Sequence, residues 1–241
     1  MSKRTQTDSL ALYPHPFSRA YWREAAKDCT NLRKLTVAAL LCALAIVIEI
    51  FNIPLGTQGL QISMSFPAIS LCSLLTGPLL AIPCGVIVDL IGISISGYGF
   101  FAGYTLTAVL TAVVYALFLY RARPSFMRIL FAKGIINLFI NTLLGSVWRV
   151  MQQGGTYGYW ALLSGVKNLC LLPLEVFILC ILFQALHTPL SQQNLLSPDA
   201  KAVYSRRNFV LLTVFALIGA ALIVPLAIWY KDIRAFIQGL F

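Results

Sequence analysis

The stretch TGPLLAIPCGVIVDLIGISISGYGFFAGYTLTAVLTAVVYALFLY, Thr76–Tyr120, carries a single charge, Asp89. Two apolar runs flank a short interruption of glycines, aromatics and hydroxyls between Ser96 and Thr105. Each run approaches the ~20 residues that an α-helix needs to cross the hydrocarbon core of a bilayer. The rest of the chain agrees. It has 241 residues, is 59% hydrophobic and only 11% charged, and has a mean hydropathy of +0.82. A soluble domain carries about 25% charged residues. Lipid is therefore the main solvent, and the expected class is an all-α integral membrane bundle.

Working outward from that stretch, apolar runs predict spans at 34–52, 60–76, 78–96, 101–121, 127–149, 159–186 and 208–230. The run at 60–76 is the least regular, with Pro67 and several serines. Irregular backbone at that depth survives only inside protein or along a cavity. The domain reading is an N-terminal extension at 1–33, a six-helix membrane domain at 34–187, a linker at 188–207 and an additional span within 208–241. Within the extension, FSRAYWREAAKDCTNLRKL suits an amphipathic surface helix with Phe17, Tyr21 and Trp22 in the lipid, or a partly ordered tail. The N-terminus is too polar for a cleaved signal peptide.

The net charge of +10 is not a nucleic-acid footprint, which needs a continuous basic face. Instead the basic residues sit at span ends. They fall in the N-terminal tail, at Arg121, Arg123 and Arg128, and at Lys201, Arg206 and Arg207, whereas the loops after the first and third spans have none. The positive-inside rule then puts the N-terminus in the cytoplasm and the Ser96–Thr105 interruption outside. The six cysteines form no CxxC and lie mostly in apolar runs, so neither a metal nor a disulfide framework is expected. No Walker, HExxH or GxSxG sequence is present, which argues against an enzyme and against a cofactor. Any uphill transport would need its energy from another chain.

Charges within spans are expensive, and they face the bundle interior or a wet cavity. At ~1.5 Å rise per residue, Glu49, Asp89, Arg149 and Lys167 fall in the outer half of the membrane, and Lys133 and Glu175 fall nearer the cytoplasm. Four charges from four helices at one depth make either structural ion pairs or an externally open site for a polar, anionic solute. Asn137 and Asn141, four residues apart, share a helix face and serve either a ligand or a neighbouring helix. Ala39 and Ala43 form a small-xxx-small pair that Gly77, Ala81 and Gly85 repeat. Such spacing lets backbones approach, within the bundle or toward a partner.

In that order and spacing the motifs resemble the substrate-binding S components of energy-coupling factor (ECF) vitamin transporters, their folate family above all. Gly77-Pro78 opens the third helix of that family, Asp89–Gly92 (DLIG) closes it, and Phe100–Leu106 (FFAGYTL) is similar to the FFPGFTL motif of its fourth. KNLCLLPLEVFIL, Lys167–Leu179, resembles the signature of its sixth helix, and RKLTVAALLCALAIVIEI its first. The resemblance spans about residues 32–187. Ala102 replaces the motif's proline, Tyr104 its second phenylalanine, Gln61 stands where a basic residue belongs, and a seventh span follows a six-helix fold.

The resemblance implies a non-enzymatic subunit in the bacterial plasma membrane that captures folate or a related vitamin from outside. It then topples in the bilayer while docked on a transmembrane coupling subunit that two ATPase subunits drive. Ala39 and Ala43 would form the docking face. Folate joins a flat pterin through an aromatic bridge to a dicarboxylate tail. Tyr98, Phe100, Phe101, Tyr104 and Trp148 would supply stacking surface. Asp89 or Glu49, with Asn137 or Asn141, would accept from the pterin, and Arg149 and Lys167 would hold the carboxylates. Gln61, Thr105 and Asn168 complete the expected site, with no metal. The alternatives are the same scaffold with another cargo, such as pantothenate or a queuosine precursor, or a non-transporting scaffold of the rod-shape-determining type.

Overall fold

The computed structural model describes residues 12, 16, 18–51, 53–54, 61–96, 99–200, 210, 213–219 and 221. Its elements are α1 (Arg19–Thr30), α2 (Leu32–Glu49), β1 (Ile53–Pro54), β2 (Gln61–Ile62), α3 (Phe66–Thr76), α4 (Pro78–Ser96) and α5 (Ala102–Leu119). A rod then runs through α6 (Phe126–Ile135), a π-helical segment (Ile136–Leu144) and α7 (Gly145–Gln153), and α8 (Tyr157–Gln192) follows. β1 and β2 form a two-residue antiparallel pairing, Ile53 opposite Ile62 and Pro54 opposite Gln61, that ties the loop after α2.

The apolar runs fold as helices long enough to span at α4, α5, the α6–α7 rod and α8, and α1 with α2 makes a fifth, bent candidate. The expected span at 60–76 is a correction. Among the described residues of that run only Phe66–Thr76 is helical, about 16 Å at 1.5 Å per residue, too short for a ~30 Å core. Nine of its eleven residues are buried, so this helix sits inside the protein rather than against lipid. Its polar side chains are satisfied within the helix. Ser70, Ser73 and Thr76 donate to the carbonyls of Pro67, Ile69 and Cys72.

The break between α3 and α4 needs glycine. Gly77 has φ +79, and an added Cβ would lie 3.0 Å from the Tyr120 ring. Gly85 lets α4 close on α5, since its Cβ position is 3.3 Å from the Ala108 carbonyl oxygen. The Gly77, Ala81 and Gly85 stripe therefore packs internally. Ala39 and Ala43 do not, and both are exposed on α2 beside Leu40, Leu44 and Val47.

α1 turns 83° from α2 and lies across the end of the bundle. Ser18 caps it by accepting from the Tyr21 amide. Tyr21, Ala25 and Asp28, at i, i+4 and i+7, form its buried face. Tyr21 is 1% exposed, packs edge-on to Tyr120 at 5.2 Å and donates to the Ala116 carbonyl at 2.9 Å. Tyr21 thus enters the protein rather than the lipid, because a partner ring and an acceptor await its amphipathic side chain there. Trp22 is partly exposed, and Phe17 lies outside the described residues. Asp28 joins Lys34, the Tyr120 hydroxyl and Arg121, and Arg121 also reaches Glu24 at 3.4 Å.

The main core lies between α3, α5, α6 and α8, around Tyr115, Leu119, Val176 and Leu179. α8 continues to Gln192, past the expected boundary at 187, and Leu195, Leu196 and Ala200 return to the core. Of the expected seventh span, residues 210, 213–219 and 221 are described and helical. Gly219 meets Pro173 and Leu174 of α8.

Candidate functional site

Glu49 ends α2, Asp89 lies late in α4, Arg149 is in α7 and Lys167 is in α8. The packing of these four helices brings them to the wall of one cavity of about 250 Å³. Tyr104, Asn141 and Asn168 line it too. Its inner part is closed by Lys133 and Glu175, paired at 2.9 Å, with the Lys133 ammonium 4.2 Å from the centre of the Phe66 ring. A buried pair is tolerable only when its remaining hydrogen bonds are made. Asn137 supplies one, donating to Glu175 Oε2 at 2.6 Å.

The π-helical segment sets this polar wall. Its wider turn places Thr142, five residues on, to donate to the Asn137 carbonyl at 2.7 Å. Asn168 of α8 donates to Thr142 Oγ1 at 2.8 Å and to the Asn137 carbonyl at 3.2 Å. Asn141 donates to Asn137 Oδ1 at 3.4 Å. Asn137 thus stands behind the cavity wall, and Asn141 and Asn168 form part of it. Arg149 is anchored by donating to Ser164.

On the other wall Thr105 donates to Asp89 Oδ2 at 2.6 Å. Phe101 packs edge-on to Tyr104 at 5.7 Å and tilted against Trp148 at 5.8 Å, and Trp148 Nε1 donates to Thr107 at 3.1 Å. Gly103 permits this cluster, because a Cβ there would come 2.4 Å from Phe101 and 2.6 Å from Trp148. Phe101 and Trp148 buttress the mouth rather than line the cavity. Phe100 is 62% exposed. Gln61 is placed only through its backbone pairing with Pro54, and Tyr98 lies outside the described residues.

Lys133, Glu175, Thr107, Thr111 and Tyr115 line the cavity as well, though the expected site did not include them. The signal for α5 was present: Tyr104, Thr107, Ala108, Thr111 and Tyr115 recur at helical spacing on one face. Counting residues puts Lys133 and Glu175 nearer the cytoplasm, and the cavity is deep enough to reach them.

A membrane bundle with a deep, charged cavity opening beside helix ends is a solute-binding architecture. The family model for the ECF-type riboflavin transporter S component matches residues 30–186. The chain belongs to this family of transporter S components and is a multi-pass membrane protein. Two curated relatives are each described as the folate transporter FolT. That of Leuconostoc mesenteroides is 33% identical over 155 residues, covering 61% of this chain and 83% of the relative. That of Clostridium novyi is 29% identical over 142 residues, covering 58% and 82%. A crystal structure of FolT bound with folic acid has the same fold, with a TM-score of 0.57 at 24% identity over 62% of this chain and 91% of that one.

Proposed function

We propose that this chain is the folate-binding subunit of an ECF-type importer. The observation that carries the reading is the meeting of Glu49, Asp89, Arg149 and Lys167, from four helices, on one cavity. Two cations suit the dicarboxylate tail of folate. The carboxylates and the amides of Asn141 and Asn168 suit the hydrogen-bonding edge of a pterin. The folate transporters among its relatives support the same cargo.

The N-terminus faces the cytoplasm, as α1, which carries Arg19, Arg23 and Lys27, meets Arg121 at one end of the bundle. The cavity opens outward, by Glu49 and Asp89 at the far ends of α2 and α4. The stripe of α2 with Ala39 and Ala43 offers its small residues outward for a transmembrane coupling subunit, which two ATPase subunits drive, and the bundle topples to release its cargo inside.

The name of the family model favours a second reading, riboflavin, which is flat and aromatic but lacks a dicarboxylate tail. Calorimetry on the purified protein in detergent separates the two with folic acid, pteroic acid and riboflavin. The proposal expects folic acid to bind tightest, pteroic acid at least tenfold more weakly for want of the tail, and riboflavin weakest. Riboflavin as the tightest ligand overturns it.

A further inference from the structure

The face of α5 on the cavity begins with Tyr104 and ends with Tyr115. Eleven residues separate them, about 16 Å along the helix axis, so one phenol stands near the mouth and the other near the floor. Both phenol oxygens are buried, and neither has a hydrogen-bond partner among the described residues. Tyr115 is 0% exposed and packed in the main core, and the residue lines the cavity together with Lys133 and Glu175. Two neighbouring hydroxyls of α5 are engaged. Thr107 donates to the Gly103 carbonyl and accepts from Trp148, and Thr105 donates to Asp89.

A buried hydroxyl with no partner costs stability, and native interiors rarely keep one. Phenylalanine would fill the same core volume at Tyr115 without that cost, so the hydroxyl has work that the empty protein does not show. We propose that the Tyr115 and Tyr104 hydroxyls are specificity-determining contacts, completed only when the cavity is filled by a ligand carrying oxygen or nitrogen acceptors near each end. An apolar isostere leaves them unpaired and is rejected for that reason. The inference rests on the cavity being the ligand site and names two of its selecting groups. His187 Nε2 is also unpartnered, but His187 does not line this cavity.

Tyr115→Phe and Tyr104→Phe test this, since neither changes the ring. Two quantities are read for each: folic acid affinity by calorimetry and the melting temperature of the ligand-free protein in detergent. The expected result is an affinity about tenfold weaker for each variant, with ligand-free melting unchanged or raised. Wild-type affinity in both variants overturns the proposal. So does a ligand-free melting temperature several degrees below wild type, which would mean that the hydroxyl is already bonded in the empty protein. A wild-type protein that binds no folic acid overturns the folate reading instead, and the ligand-free melting comparison still decides this one.

Discussion

Arg149 and Lys167 differ from the charges around them in what their removal should do. Arg149 is held by Ser164, Lys167 is buried, and both line the cavity. A hydrogen bond to a charged group contributes about 1.5–3 kcal/mol. Arg149→Ala and Lys167→Ala should each weaken folic acid binding by about 10- to 100-fold and leave pteroic acid almost unaffected, both measured by calorimetry. Equal losses for the two ligands would falsify the tail-binding role. These two cations were legible in the sequence, because a charge in an apolar run has few places to go and its depth follows from counting. Tyr115 was not legible, since an aromatic residue at helical spacing in a core reads as packing. Nothing in the sequence tells a bonded phenol from an unbonded one.

At the scale of elements, the long spans followed from apolar length alone, and the failures occurred where length and environment diverge. α3 is short because its neighbours, not lipid, bury it, and Pro67 with the serines only hinted at this. The π-helical segment left no trace in the pattern, yet it brings Asn137, Thr142 and Asn168 together. Two stripes of small residues looked alike, and only packing separated the internal one on α4 from the outward one on α2. Ala39→Trp or Ala43→Trp should therefore abolish folate uptake by cells while folic acid binding by the purified protein stays within twofold of wild type. Uptake that survives both changes removes α2 as the docking face. α1 depends on Asp28, which is buried among Lys34, Tyr120 and Arg121. Breaking a buried charge pair costs about 3–5 kcal/mol, so Asp28→Ala should release α1. Protease cleavage between Arg19 and Lys27 would then become rapid, and unchanged cleavage rates would show that the helix is held by Tyr21 alone.

For the whole molecule, binding and transport should separate. The chain has no Walker sequence, and the cavity is lined by residues of this one chain. Reconstituted alone in liposomes, the protein should bind external folic acid and accumulate none. Accumulation should begin only when a coupling subunit and its ATPases are added with ATP, and a radiolabelled uptake assay distinguishes the two conditions. Import by the chain alone would mean that it carries its own driving mechanism.

The 83° turn between α1 and α2 makes the bundle and its surface helix one L-shaped body. The shorter limb is about 18 Å long, from twelve residues at 1.5 Å each, and the Asp28 cluster keeps the elbow from opening. A bundle that tips over while this elbow holds must carry the limb with it. Rotation through a quarter turn about the elbow would sweep Arg19, at the tip of the limb, along an arc of about 28 Å. On the proposed toppling mechanism the limb becomes an outrigger, which has to be lifted or unclasped before the molecule can capsize.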